Sequence, residues 1–335
     1  MHITLAATTL ADTWISFDTS SLIRDFWSLT TDGLTYGAIY ALIAIGYTLV
    51  YGVLRLINFA HSEVFLVGMF AQYFILQALG FTPAADAYNE GVALTVVYLI
   101  VAMLIAMIAS GATAVIIERV AYRPLRKRGA PPLVFLITAI GASLAIQQAF
   151  FVWRGQNPEP QIRLMTPVHV FNIFSAQIDN VQIMIVVSAV ILMILADSFV
   201  NRTKFGRGIR AVAQDPTTAR LMGVNPEKVI MTTFLVGGIL AGAAALLYTI
   251  KIPQGIVFSG GFLLGIKAFA AAVLGGIGNL RGALLGGLLL GVSENWGQAL
   301  FGGAWRDVVA FVLLIAVLMF RPSGILGESL GRARA

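Results

Sequence analysis

Residues 92–117, VALTVVYLIVAMLIAMIASGATAVII, contain no charged side chain. A run this long exceeds the ~20 helical residues that cross about 30 Å of hydrocarbon. In lipid every backbone N–H and C=O needs a partner within the protein, which a helix supplies by itself. Similar blocks recur, giving spans near 34–54, 58–79, 92–117, 133–153, 181–200 and 229–250. Ten-residue segments of alternating polarity, the mark of a barrel, are absent. Composition agrees: 58% of the 335 residues are apolar and 11% charged, against roughly 25% charged in a soluble domain. The expected fold is an all-α polytopic integral membrane protein with about 8–9 transmembrane or re-entrant helices.

Past residue 260 two segmentations are open. One has three short helices near 262–278, 283–301 and 307–320; the other has a re-entrant hairpin across 262–291 and one crossing near 296–320. Either leaves the termini on the same sides. Basic residues fix which sides: 118–130 holds Arg119, Arg123, Arg126, Lys127 and Arg128, and 201–228 holds Arg202, Lys204, Arg207, Arg210, Arg220 and Lys228. Segment 80–91 has no Lys or Arg, and 1–32 has only Arg24. With the basic loops in the cytoplasm, the N-terminus is expected outside and the C-terminus inside. LIRDFW (22–27) reads as a short interfacial helix. No cleaved signal peptide is expected, because a basic leader and a sustained apolar region are missing at the start.

The net charge of +6 sits in inter-helix loops, a membrane-topology pattern rather than a nucleic-acid footprint. No Cys is present, and His2, His61 and His169 lie far apart with no HExxH spacing, so no metal or other cofactor is expected.

The segment FGRGIRAVAQDPTTARLMGVNPEKVI (205–230) is rich in helix punctuation. Asp215 suits a helix N-cap, Pro216 a first position, and Gly223 the left-handed residue past a helix end. Asn225, Pro226 and Glu227 repeat the start signal for the next span. This is either a capped connector against anionic headgroups or a docking helix for a soluble partner. In AAVLGGIGNLRGALLGGLLLG, Gly278, Gly282 and Gly286 are four residues apart, as are Gly287 and Gly291. With Gly275 and Gly276 they suit close helix packing or a helix break, the latter favoured by Asn279 and Arg281.

Polar residues inside apolar blocks are the remaining signal. On one continuous helix, Arg55, Asn58, His61 and Ser62 share a stripe that Gln72 rejoins, with Glu63 about 140° from Asn58. Hydrogen bonding between helices, the lining of a solute route and a proton relay each account for such a stripe. Lys267, near the expected outer end of its helix, should snorkel. Glu294 is a candidate partner for Lys267 or Arg281.

YGAIYALIAIGYTLVYGVLRLINFAHSEVFLVGMF (36–70) resembles the first membrane segments of the LivH-type permeases of ABC importers for branched-chain amino acids. The family reads INFAHGE where this chain reads INFAHSE, so Ser62 replaces a glycine. The stretches 205–226, 265–294 and 305–327 resemble that family's coupling loop, glycine-rich signature and ending. The likeness covers roughly 33–327, apart from 154–180.

The resemblance implies an importer permease for leucine, isoleucine and valine with no catalytic activity of its own. It also implies a second homologous permease, two cytoplasmic ATP-binding subunits and an extracytoplasmic substrate-binding protein meeting 80–91, 154–180 and 251–261. No GxxxxGK[ST] phosphate loop occurs in the chain, consistent with ATP hydrolysis elsewhere. Arg210, Gln214, Asp215, Pro216, Ala219 and Gly223 would form the ATPase-coupling loop. Asn58, His61, Ser62, Glu63, Gln72, Lys267 and Glu294 are candidates for the route or gate. The implied organisation is an extracytoplasmic extension (1–32), a transmembrane domain (33–327, with 201–228 as coupling loop) and a cytoplasmic tail (328–335). The expected location is the bacterial inner membrane. A related permease for urea or short amides, and an ion-coupled secondary transporter, are the alternatives.

Overall fold

The computed structural model describes residues 17–83, 91–252 and 255–327; the expected tail 328–335 lies outside them. A short helix α1 (Thr19–Arg24), capped by Asp18, precedes α2 (Phe26–Leu54). At 1.5 Å per residue α2 is about 44 Å long, so it begins before the expected residue 34 and overhangs the bilayer core. Then follow α3 (His61–Ala78), α4 (Val92–Ile117), a π-turn (Glu118–Tyr122), α5 (Arg123–Lys127) and α6 (Pro132–Arg154). Pro124 lacks the N–H that would close the preceding turn, which the wider π-turn accommodates.

After α6 the chain forms a hairpin, β1 (His169–Ile173) paired antiparallel with β2 (Ala176–Asp179). This small sheet departs from a purely helical expectation. Its turn residue Phe174 has a φ of 52° and stacks on Trp27 with ring centroids 4.4 Å apart, so the hairpin is anchored to the start of α2. The chain continues through α7 (Asn180–Arg202), α8 (Lys204–Gln214), α9 (Pro216–Leu221) and α10 (Pro226–Lys251).

Past residue 260 the structure follows the three-helix segmentation: α11 (Gly260–Gly275), α12 (Leu280–Phe301) and α13 (Arg306–Phe320). A single crossing over 296–320 is ruled out by Gly302, whose φ of 93° ends α12. The α11–α12 pair bends by 120° through Gly276 and Gly278, with φ of 109° and 97°. Gly278 therefore serves the turn and not the expected packing face. With 16 residues, α11 is about 24 Å long, short of a full crossing.

Among the described residues, six helices are long and apolar enough to cross a membrane alone. Burial sorts them: the most apolar stretch of α2 is 83% buried and that of α10 72%, whereas those of α4 and α6 are each 17% buried. So α2 and α10 form the centre and α4 and α6 face outward. Glycines set the central contacts. A Cβ at Gly291 would lie 2.3 Å from the Gly33 carbonyl oxygen, and one at Gly37 2.7 Å from Leu288 Cα. Rising numbers on α2 meet falling numbers on α12, so the two run antiparallel at backbone contact. Gly286 and Gly282 provide the same closeness on the opposite side, against Ala271 and Gly275 of α11.

Candidate functional site

The helix formed by 34–54 stops at Arg55, which adopts a left-handed conformation (φ 52°, ψ 31°). Residues 55–60 form an unwound link, and α3 starts at His61, whose N–H donates to the Asn58 carbonyl at 3.1 Å. The stripe expected from Arg55 through Ser62 presupposed an unbroken helix, and this break removes that premise.

The break nevertheless gathers most of the same residues. Asn58 is buried and accepts a hydrogen bond from the Tyr122 hydroxyl at 2.9 Å, so the π-turn positions it. The His61 ring packs edge-on to Tyr47 at 4.7 Å. It fills a notch at Gly46, where a Cβ would lie 2.4 Å from its Nε2. That nitrogen has no hydrogen-bond partner. Ser62 Oγ donates to the Phe59 carbonyl at 2.7 Å and lies 3.3 Å from Glu63 Oε1. Glu63 is fully buried; its Oε1 also accepts from Ser143 Oγ of α6 at 3.2 Å, and its Oε2 has no partner. Glu63 thus joins the cluster that a straight helix would have kept it from.

The N-terminal end of α11 closes over this group. A Cβ on Gly261 would sit 2.5 Å from the Ser62 carbonyl oxygen and 3.2 Å from Glu63 Oε2. One on Gly265 would sit 2.3 Å from Ser62 Cβ and 3.1 Å from the Tyr47 hydroxyl. Two glycines on α11 thus provide the close approach at the position where Ser62 stands. The partial positive charge of a helix N-terminus faces a buried carboxylate oxygen there. Gln72 lies apart: it lines a cavity of about 260 Å³ with Tyr73, Leu76 and Leu164.

Lys267 and Glu294 form a second cluster. Lys267 is 6% exposed and does not snorkel. Its Nζ lies 3.2 Å from Glu294 Oε1 and pairs with Asp307. Glu294 Oε2 accepts from the Tyr40 hydroxyl at 2.9 Å and from Arg306 Nε at 3.2 Å. Four helices contribute: Lys267 and Glu294 are buried, Arg306 and Asp307 are partly exposed, and the two basic groups offset the two acidic ones. Arg281 instead approaches Asp197 at 3.9 Å. Sequence reasoning missed Tyr40, Tyr47, Arg306 and Asp307. The spacing of Tyr36, Tyr40 and Tyr47 along one helix face was the available signal. Nothing in the sequence pointed to Tyr122 or Ser143, which arrive from distant helices.

The 201–228 segment folds as its punctuation suggests, with α8 added. Asp215 accepts from the Thr217 N–H at 2.8 Å and from the Thr218 hydroxyl. The Thr218 hydroxyl, then the Thr217 N–H, hold its carboxyl below the usual carboxylate range, so it caps as an anion. Gly223 ends the turn with φ 83°. Asn225 caps α10 through the N–H groups of Glu227 and Lys228 at 3.0 and 3.2 Å. Ala219 is buried, while Gln214 and Pro216 are exposed. Arg210 donates to the Val200 carbonyl at 2.5 Å, tying α8 to the end of α7. From the broken motif, Arg55 Nη2 donates to the Ala213 carbonyl at 3.0 Å. Among the described residues, no three His, Cys, Asp or Glu side chains converge as a metal site.

A family model described as the permease component of the branched-chain amino acid transport system matches residues 29–318. That range holds the broken motif, the capped loop and the glycine turn. The chain belongs to this permease family. It is a transport subunit, not an enzyme, and a multi-pass protein of the inner membrane. The high-affinity branched-chain amino acid permease protein BraD of Pseudomonas aeruginosa is 43% identical over 301 residues, covering 89% of this chain and 94% of the relative. LivH of Escherichia coli is 38% identical over 304 residues, with coverage of 89% and 94%. A probable LivH of the archaeon Methanocaldococcus jannaschii is 29% identical over 308 residues, covering 88% and 90%. No solved structure matches the chain.

Proposed function

We propose that this permease carries leucine, isoleucine and valine into the cytoplasm, in an assembly with a second homologous permease, two ATP-binding subunits and a substrate-binding protein. The α8–α9 segment is the coupling element for the ATP-binding subunits. The basic loops face the cytoplasm, and the β-hairpin side faces the binding protein. ATP binding would move α9, and the Arg55–Ala213 contact would pass that motion to the break before α3. Asn58, His61, Ser62 and Glu63 then open or close the inner part of the route, with α11 as the element that covers them.

The single observation that carries this reading is the extent of the family match, which includes every element the mechanism uses. No observation favours urea or short amides. The test is co-reconstitution of the full chain with the neighbouring ATPase, permease and binding-protein subunits in liposomes. Labelled leucine, isoleucine and valine should accumulate only with ATP and the binding protein present. Uptake by this chain alone under an ion gradient would replace the reading with secondary transport, and accumulation of urea would replace the substrate.

A further inference from the structure

Gln72 is a polar interruption in the apolar run of α3. It is 5% exposed, and its amide has no hydrogen-bond partner among the described residues. A buried amide left unbonded costs free energy, so a group of this kind points to something else that bonds it. Gln72 lines a cavity of about 260 Å³ near the C-terminal ends of α3 and α10, opposite the capped loop that precedes α10. The other walls include the buried apolar residues Leu76, Leu99, Leu164, Val181, Leu246 and Ile256. Tyr73, Gln161, Thr249 and Lys251 share them, each already engaged. The Tyr73 hydroxyl donates to Glu159 at 3.1 Å, and the Thr249 hydroxyl donates to the Leu246 carbonyl at 2.9 Å. Gln161 donates to the Thr249 carbonyl, and Lys251 pairs with Asp32 at 2.7 Å. The cavity is closed on the His61 side. One turn along α3, a Cβ on Gly68 would lie 3.0 Å from Gly242 Cα of α10 and 2.6 Å from Ser110 Oγ.

These features select the occupant. No Asp or Glu lines the cavity, so a metal ion would find no anionic ligand there. A buried water needs about 2–4 polar partners, which apolar walls and one unbonded amide do not supply. The volume equals roughly nine waters at ~30 Å³ each, enough for one small molecule and too little for a two-chain lipid. An aliphatic α-amino acid meets each condition. Its side chain suits the apolar walls, its ammonium can donate to the Gln72 carbonyl, and its carboxylate finds Arg163 and Lys251, the basic residues of the lining. We propose that this cavity is where the permease first holds its solute, with the ammonium on Gln72 and the aliphatic side chain between Leu99, Val181 and Leu246. The inference rests on the amino-acid reading above and adds a binding site to it. The segment from Gln161 to Pro167 forms one wall and leads into β1, on the side assigned to the binding protein, so the solute enters past this segment. It leaves only when α3 and α10 part at Gly68, ahead of the broken motif.

The test uses the full chain assembled with its partner subunits in lipid nanodiscs without nucleotide. The probe is a diazirine analogue of leucine, activated by ultraviolet light, with the labelled peptides mapped by mass spectrometry. Label should fall on the cavity-lining parts of α3 and α10, and excess leucine should abolish it while excess glutamate should not. Gln72→Leu removes the amide at similar volume. The probe concentration for half-maximal labelling should then rise about tenfold or more, as for a lost hydrogen bond to a charged group. Its melting temperature should equal or exceed that of wild type, because the unbonded amide is gone. Ile250→Trp fills the cavity from a half-buried position and should abolish the label. Labelling that leucine does not compete, or that Gln72→Leu leaves unchanged, would overturn the proposal. If the wild-type assembly accumulates leucine with ATP while the cavity stays unlabelled, the site fails and the substrate reading stands. If it accumulates urea and not leucine, the substrate reading fails and the site falls with it.

Discussion

The guanidinium of Arg55 donates a hydrogen bond to the Ala213 carbonyl at 3.0 Å, joining two segments 158 positions apart in the chain. One partner is the left-handed residue that ends α2, and the other lies in the last turn of α8, just before the Asp215 cap. The contact therefore links the break in the membrane motif to the segment outside the bundle. Arg55 is exposed, so the bond is screened and contributes about 1 kcal/mol. Arg55→Ala should leave the melting temperature nearly unchanged and lower uptake per ATP hydrolysed by roughly fivefold, with Arg55→Lys partly restoring it. Unaltered coupling in the alanine variant would show that the link transmits nothing.

Glu294 is the hub of the second cluster, since it accepts from Tyr40 and faces both Lys267 and Arg306. Removing it leaves the buried Lys267 and the half-buried Arg306 with Asp307 alone. Glu294→Ala should cost about 3–5 kcal/mol of stability, read as a lower melting temperature in mild detergent. Lys267→Met should cost less, because Glu294 keeps Arg306 and Tyr40. Equal losses would mean that the charges do not act through Glu294.

The sequence announced what depends on local chemistry. Apolar blocks defined the spans, because hydrocarbon imposes its thickness on any helix that crosses it. Asp215, Pro216, Gly223 and Asn225 defined the loop, because caps and left-handed glycines act within a few residues. What stayed hidden depended on distant partners. Lys267 looked able to reach the interface, but Asp307 and Glu294 hold it inside. Asn58 and His61 looked like a helix stripe, yet no residue type marks Arg55 as left-handed. The β-hairpin at 169–179 escaped notice because β1 is exposed throughout and the apolar–polar alternation of β2, AQID, lasts only four residues.

Two helical glycines should behave in opposite ways. A Cβ at Gly291 meets the Gly33 carbonyl oxygen at 2.3 Å and the Gly37 nitrogen at 2.4 Å, all of it backbone, whereas one at Gly141 meets nothing within 4 Å. Gly291→Ala must push α2 and α12 apart, costing about 1–3 kcal/mol or more. Gly141→Ala removes backbone freedom from the unfolded chain and should be neutral or slightly stabilising. Melting temperatures of the two variants in the same detergent check this, and similar values would refute the backbone contact between α2 and α12.

Glu63 offers a way to separate function from packing. A carboxylate kept for structure would have both oxygens bonded and a cation nearby. Here two hydroxyl groups approach Oε1, Oε2 has no partner, and no basic group pairs with it among the described residues. Ionisable groups inside a membrane are expensive, and those that persist usually serve a solute or ion pathway. Glu63→Gln retains the acceptor for Ser62 and Ser143 while removing the ionisable proton, so the fold should be at least as stable as wild type. Uptake of leucine should nonetheless fall by about tenfold or more, as expected when a charged hydrogen-bonding group worth ~1.5–3 kcal/mol is lost from a route. Glu63→Asp keeps the carboxyl but withdraws it from Ser143, and should give an intermediate rate. A lower melting temperature with proportionately lower uptake would instead make Glu63 a packing residue. Full activity in the glutamine variant would remove the carboxyl group from the transport cycle altogether.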